Sequence, residues 1–163
     1  MKLMNAPVRI PLLIAIVLIV AVLRAGAATP EMIHYQGVVA VGTTPFNGTG
    51  EFKFALVNRA GNTTHWSHDG TSTGGAEPTG SISLPVNQGL FSILLGDTDV
   101  AGMTETLPAS VFSDNLQVYI RVWFDDGVNG SAQLAPDTRI VSVGYAMVAA
   151  KVCAGAIDGP QLV

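Results

Sequence analysis

Between residues 116 and 124 every second side chain is apolar: Leu116, Val118, Ile120, Val122 and Phe124 interleave with Gln117, Tyr119, Arg121 and Trp123. Side chains two apart share a face only in an extended chain, so this run can bury one side as a strand and not as a helix. It is expected to be a central strand. The same alternation recurs in shorter runs at 32–41, 51–57, 63–69 (around Trp66), 81–86, 89–95 and 131–134. In 51–57, Phe52, Phe54 and Leu56 take one face and Lys53 and Ala55 the other; in 81–86, Ile82, Leu84 and Val86 fall together. Residues 58–62 and 125–130 carry turn chemistry, and the turn Asn87-Gln88-Gly89 is expected to fold its two neighbouring runs into a hairpin.

Strand runs at near-regular spacing without intervening long helices predict an all-β fold: an antiparallel β-sandwich of about seven to eight strands, with barrel closure as the alternative. The expected core is Phe52, Phe54, Trp66, Ile82, Leu84, Phe91, Ile93, Val118, Ile120 and Val122. Two segments stand outside this pattern. Residues 107–112 read as one helical turn opened by Pro108. Tyr145, Val148, Ala149, Val152 and Ala156 recur at helical spacing, which predicts a short Ala-rich helix from about Ser142.

The first residues have the order of a secretory signal: Lys2 and Arg9, an apolar helix-forming stretch at 12–23, then the small residues Ala25-Gly26-Ala27. The stretch falls short of the ~20 apolar residues that cross a bilayer, so a retained anchor is the weaker reading. The chain divides into a signal peptide (1–27), a β-sandwich domain (28–141) and a helix with a trailing tail (142–163). Export to the cell surface or the medium is the expected fate, with no membrane association after cleavage. The part left after cleavage carries twelve acidic residues against five Lys and Arg, which are scattered along it. Nucleic acid, which needs clustered cations, is therefore not an expected partner.

Cys153 is the only cysteine, so no disulfide can form within the chain. It is either a small buried residue of the C-terminal helix or a bridge to another chain. With Tyr145, Val148 and Val152 it forms the candidate ligand or interface surface.

Several pieces in their order resemble a known family: Tyr35-Gln36-Gly37, Pro45-Phe46-Asn47-Gly48, Phe52-Lys53-Phe54, Trp66-Ser67, Asn87-Gln88-Gly89-Leu90-Phe91-Ser92, Leu95-Gly96, Leu107-Pro108 with Phe112, and Ser142-Val143-Gly144-Tyr145-Ala146 with Ala149. They resemble a secreted bacterial domain found at the N-terminus of surface-fibre and tail-fibre-like proteins, ahead of coiled or repetitive stalks. Two departures stand out: Pro136-Asp137 where the family usually has Pro-Arg, and Gly144 where it has Pro. The last residues, 155–163, look like one unit of such a stalk. The resemblance implies an extracellular structural or adhesive module that self-associates through its C-terminal helix, a trimer being one assembly open to it. It brings no catalytic residue and no cofactor. The alternative is a carbohydrate-binding module using exposed aromatics and loop carboxylates.

Gly70-Thr71-Ser72-Thr73-Gly74 has the spelling of a nucleophile elbow but lies in a Gly, Ser and Thr loop with no helix to follow, so no catalytic residue is assigned. His65 and His68 sit three apart, on opposite faces of a strand, and are expected to be ordinary exposed histidines, as is His34. Asp97, Asp99, Asp125 and Asp126 offer hard oxygen ligands without the spacing of a calcium loop, so they read as turn residues and no metal is assigned. Trp66, Trp123, Tyr35 and Tyr119 are either core packing or a platform for sugars, with core the plainer reading. Asn47, Asn62 and Asn129 each open an Asn-x-Ser/Thr triplet, which in Gly-rich turns arises by chance.

Overall fold

The computed structural model describes residues 31–141. The signal segment 1–27 and the C-terminal surface of Tyr145, Val148, Val152 and Cys153 lie outside the described residues. Within them the chain is all-β, with antiparallel sheets and one four-residue helix. The strands are β1 (Ile33–Val38), β2 (Ala40–Val41), β3 (Thr44–Pro45), β4 (Gly48–Val57), β5 (Thr64–Ser67), β6 (Ile82–Val86), β7 (Leu90–Leu95), β8 (Tyr119–Asp125) and β9 (Ala132–Arg139); α1 (Ser110–Ser113) precedes β8.

β4 is the spine. One of its edges takes β6 along the first half, from Gly48↔Val86 to Phe52↔Ile82, and β5 along the last, from Ala55↔Ser67 to Val57↔Thr64. Its other edge takes β8, from Glu51↔Asp125 to Val57↔Tyr119, and β9 follows beyond β8. The run expected to be central therefore lies inside a five-stranded sheet. β1 and β7 form a separate two-stranded sheet, in register from Ile33↔Leu95 to Val38↔Leu90, and β2 with β3 makes a small hairpin.

The turn at Asn87 does form, with Asn87 and Leu90 exchanging backbone hydrogen bonds of 3.0 and 2.9 Å around Gln88-Gly89. The expected hairpin ladder does not follow, because β6 pairs with β4 while β7 pairs with β1. The physical reason lies in the side chains: Ile82, Leu84 and Val86 on one strand and Phe91, Ile93 and Leu95 on the other are all buried. Parting the strands lets both sets enter one core from different sheets. Phe91 of β7 meets Phe52 of β4 with ring centroids 4.3 Å apart, and Phe52 in turn touches Phe124 of β8 at 5.0 Å. Offset ring contacts of this kind add about 0.5–1.5 kcal/mol each beyond area burial.

All ten residues expected in the core are buried in a single cluster. Leu116 is the exception to the alternation that introduced it: it is 87 % exposed. β8 begins only at Tyr119, so Leu116 lies in the connection after α1, where no sheet face exists to bury it. β9 runs longer than the expected 131–134 and is exposed along most of its length. It is an edge strand, one of the places in a sheet where a proline such as Pro136, lacking an N–H, is tolerated. The helical turn starts three residues later than expected, and Leu107, Val111 and Phe112 anchor it in the core.

Candidate functional site

The outward face of β4 and β8 is also buried at its centre: Ala55, Val57 and Trp123 form a second small cluster with Tyr119 packed against it. Loops fastened from three sides flank that face. Arg121 on β8 donates from Nη1 to the carbonyls of Gly61 at 3.0 Å and Gly75 at 2.8 Å, and pairs with Asp137 of β9 at 2.7 Å. Lys53 on β4 reaches Glu77 at 2.8 Å, and Ser131 donates to the same carboxylate at 2.6 Å. The Lys53 ammonium and the Ser131 hydroxyl hold the Glu77 carboxyl below the usual carboxylate range.

The root of the 70–80 loop is Asp69. Its carboxylate accepts from the Gly80 and Thr71 backbone N–H at 2.7 and 3.0 Å and from the Thr71 hydroxyl at 2.7 Å. Burial works against the charge, but those bonds outweigh it and bring the carboxyl down to about 2. Thr71 passes the bonding on, accepting from the Thr79 N–H at 2.8 Å. The loop is thus closed on itself by side chains of its own sequence.

His68 departs from the sequence expectation: it is fully buried, with no exposed surface. The chain leaves β5 at Ser67, but the His68 N–H still donates to the Phe54 carbonyl at 3.1 Å, and its carbonyl accepts from Thr104 and Glu105. That pulls the ring under β4, where Nδ1 lies 3.3 Å from the Phe54 N–H and the ring meets Phe54 edge-on. Among the described residues Nε2 has no hydrogen-bond partner. Burial pushes the imidazole below its ordinary value, and the Phe54 backbone, the Asp69 charge and the Gly80 backbone only partly offset it. His65 is half-buried, with burial again lowering its pKa, while His34 is exposed as expected.

Ser72 of the elbow-like spelling is buried, and its hydroxyl donates to the Ala76 carbonyl and lies 3.0 Å from the Thr64 hydroxyl. Its neighbours make it a loop staple. The helix that an elbow requires does not follow it; α1 begins at Ser110. Beside the loop lies an open cleft of about 340 Å³, bordered by Thr64, His65, Trp66, Ser72, Glu105 and Thr106. The indole of Trp66 is buried and its Nε1 donates to the Thr106 carbonyl at 2.9 Å. Trp123 is buried as well, so both tryptophans are core packing, while Tyr35 and Tyr119 are half-buried.

Among the described residues no three His, Cys, Asp or Glu side chains gather as a metal-binding group. The loop carboxylates cap turns: Asp97 accepts from the Asp99 N–H at 3.1 Å, Asp125 from Gly127 at 2.7 Å, and Asp126 from Val128 and Asn129 at 2.9 and 2.7 Å. The clamp of Arg121, Asp137, Lys53 and Glu77 was missed from the sequence. Its one visible trace was Asp137, standing where the resembled family has arginine.

These features define an all-β domain of antiparallel sheets whose described charged side chains largely fasten loops. The chain belongs to the DUF8740 family, a domain of unknown function, whose match covers residues 34–137. No curated protein and no solved structure matches it.

Proposed function

We propose that this chain is an exported, non-enzymatic structural or adhesive module, the head or base of a surface fibre, that self-associates through its C-terminal segment. In this reading the two-stranded and five-stranded sheets are the unequal layers of a β-sandwich. The observation that carries the reading is the apolar surface left on the smaller layer. Val38 and Leu90 lie opposite one another on β1 and β7 and are 71 % and 46 % exposed, with Leu94 exposed on the same face. A cleft of about 250 Å³ opens beside β1, with Ile120, Val122 and Leu134 among its lining. Exposed apolar side chains beside such a cleft support contact with another element or chain. Sedimentation of the exported chain tests the proposal: a concentration-dependent oligomer is expected, dispersed to monomer by Val148→Asp with Val152→Asp. A strict monomer at high concentration overturns it.

The second reading, a carbohydrate-binding module, draws on the polar cleft beside β5, where the hydroxyls of Thr64 and Ser72 and the carboxylate of Glu105 border an open hollow. Sugars need such convergent polar groups, although Trp66 beside the hollow is buried. A glycan array probed with and without calcium separates the two readings.

A further inference from the structure

The chain contains two Asn-Gly pairs, Asn47-Gly48 and Asn129-Gly130, identical in local chemistry and placed in very different surroundings. Glycine matters in such a pair because, without a Cβ, its backbone nitrogen can approach the preceding side-chain amide. We propose that Asn129 is a site of spontaneous deamidation in the folded protein and that Asn47 is protected from it.

Asn129 lies at the exposed tip of the β8–β9 hairpin, and Gly130, at φ +80°, has open space where a Cβ would stand. Asp126 holds the residue by one end: it accepts from the Asn129 backbone N–H at 2.7 Å and from Nδ2 at 2.6 Å. The hairpin tip leaves room around Gly130 for the nitrogen to turn toward Cγ.

Asn47 is held at both ends of its side chain. Oδ1 accepts from the Gln88 N–H at 2.6 Å and Nδ2 donates to the Pro45 carbonyl at 3.3 Å. The nitrogen that would attack belongs to Gly48, the first residue of β4, fixed opposite Val86. Reaction there requires the start of a paired strand to move.

The chemistry needs only water. The Gly130 nitrogen bonds to Asn129 Cγ and gives up its proton, the Cγ–Nδ2 bond breaks, and ammonia leaves with that proton. Water then opens the resulting succinimide at either carbonyl, giving aspartate or isoaspartate. In the aspartate product the new carboxylate stands where Nδ2 donated to Asp126, and in isoaspartate that amide is likewise gone, so a hydrogen bond is lost beside a new negative charge and the tip beside the exposed Val128 loosens. The change is one-way and adds a negative charge to an already acidic chain.

Peptide-mapping mass spectrometry of the intact protein, aged at mildly alkaline pH with and without concentrated guanidinium, tests this. The native protein is expected to convert Asn129 several-fold faster than Asn47, and the two rates are expected to converge once the chain is unfolded. Equal native rates, faster conversion at Asn47, retention of both amides in the native state, or a difference that persists in guanidinium would each overturn the proposal.

Discussion

At the scale of single residues, His68 shows how a polar side chain becomes part of a core. Its Nδ1 faces the Phe54 backbone and its Nε2 has no partner among the described residues, so the neutral ring is favoured over the charged one. Burial dominates, opposed by the Phe54 and Gly80 backbone groups and the Asp69 charge, which favour protonation, and joined by the Lys53 charge, which disfavours it. The folded pKa therefore lies below the ordinary value of 6.5, and the unfolded chain binds the proton first. Stability contributed by neutral His68 is complete above 6.5 and declines as pH falls from there toward the folded pKa. His65 adds a change of the same sign, and Asp69 contributes below 3.8, where its stabilising charge is lost on approach to about 2. Thermal melting from neutral pH to pH 5 is expected to fall for the natural chain and to flatten in His68→Gln. An unchanged slope in the variant would remove His68 from this account.

At the scale of elements, β8 works through both of its faces. Ile120, Val122 and Phe124 enter the core, while Arg121 on the other side clamps the 58–62 turn, the 70–80 loop and β9. The guanidinium is mostly shielded, at 14 % side-chain exposure, and its bond to Asp137 raises its pKa further. Exposed ion pairs contribute about 0–1 kcal/mol, whereas breaking a buried one costs about 3–5 kcal/mol. This partly shielded pair, with two carbonyls added, belongs between them. Arg121→Ala is expected to cost about 2 kcal/mol in chemical denaturation. Hydrogen exchange is expected to quicken in residues 58–62 and 70–80 and to change little in β4. Protection lost evenly across the whole sheet would show that Arg121 supports the core and not the loops.

At the scale of the whole molecule, the decisive feature is the passage of the chain from one sheet to the other at Gln88-Gly89. Gly89 sits at φ +83°, its N–H bonds the Phe46 carbonyl and its carbonyl takes the Val39 N–H. A Cβ there would stand 2.7 Å from the Val39 carbonyl oxygen. Gly127 has a similar φ of +79° but open space around it. Gly127→Ala is therefore expected to cost only backbone strain, about 1–2 kcal/mol. Gly89→Ala adds a backbone clash, for about 2–4 kcal/mol in all. Equal denaturation midpoints for the two variants would mean that the crossing is not tightly packed.

The sequence by itself determined the all-β class, the ten core residues, the central place of β8 and the turn at Asn87, because each follows from alternation or turn chemistry within a few residues. The limits of that reasoning appear at Leu116 and His68. Leu116 continues the apolar alternation but has no sheet beneath it, and His68 looks like a solvent-facing strand residue yet is drawn under β4 by backbone bonds to Phe54, Thr104 and Glu105. Only the tertiary structure decided that β6 and β7 part company, that Arg121 would find Asp137, Gly61 and Gly75, and that the two Asn-Gly pairs would differ. All of these depend on which distant segments meet. Periodicity fixes which face of a strand is apolar, and it carries no information about which strand lies alongside.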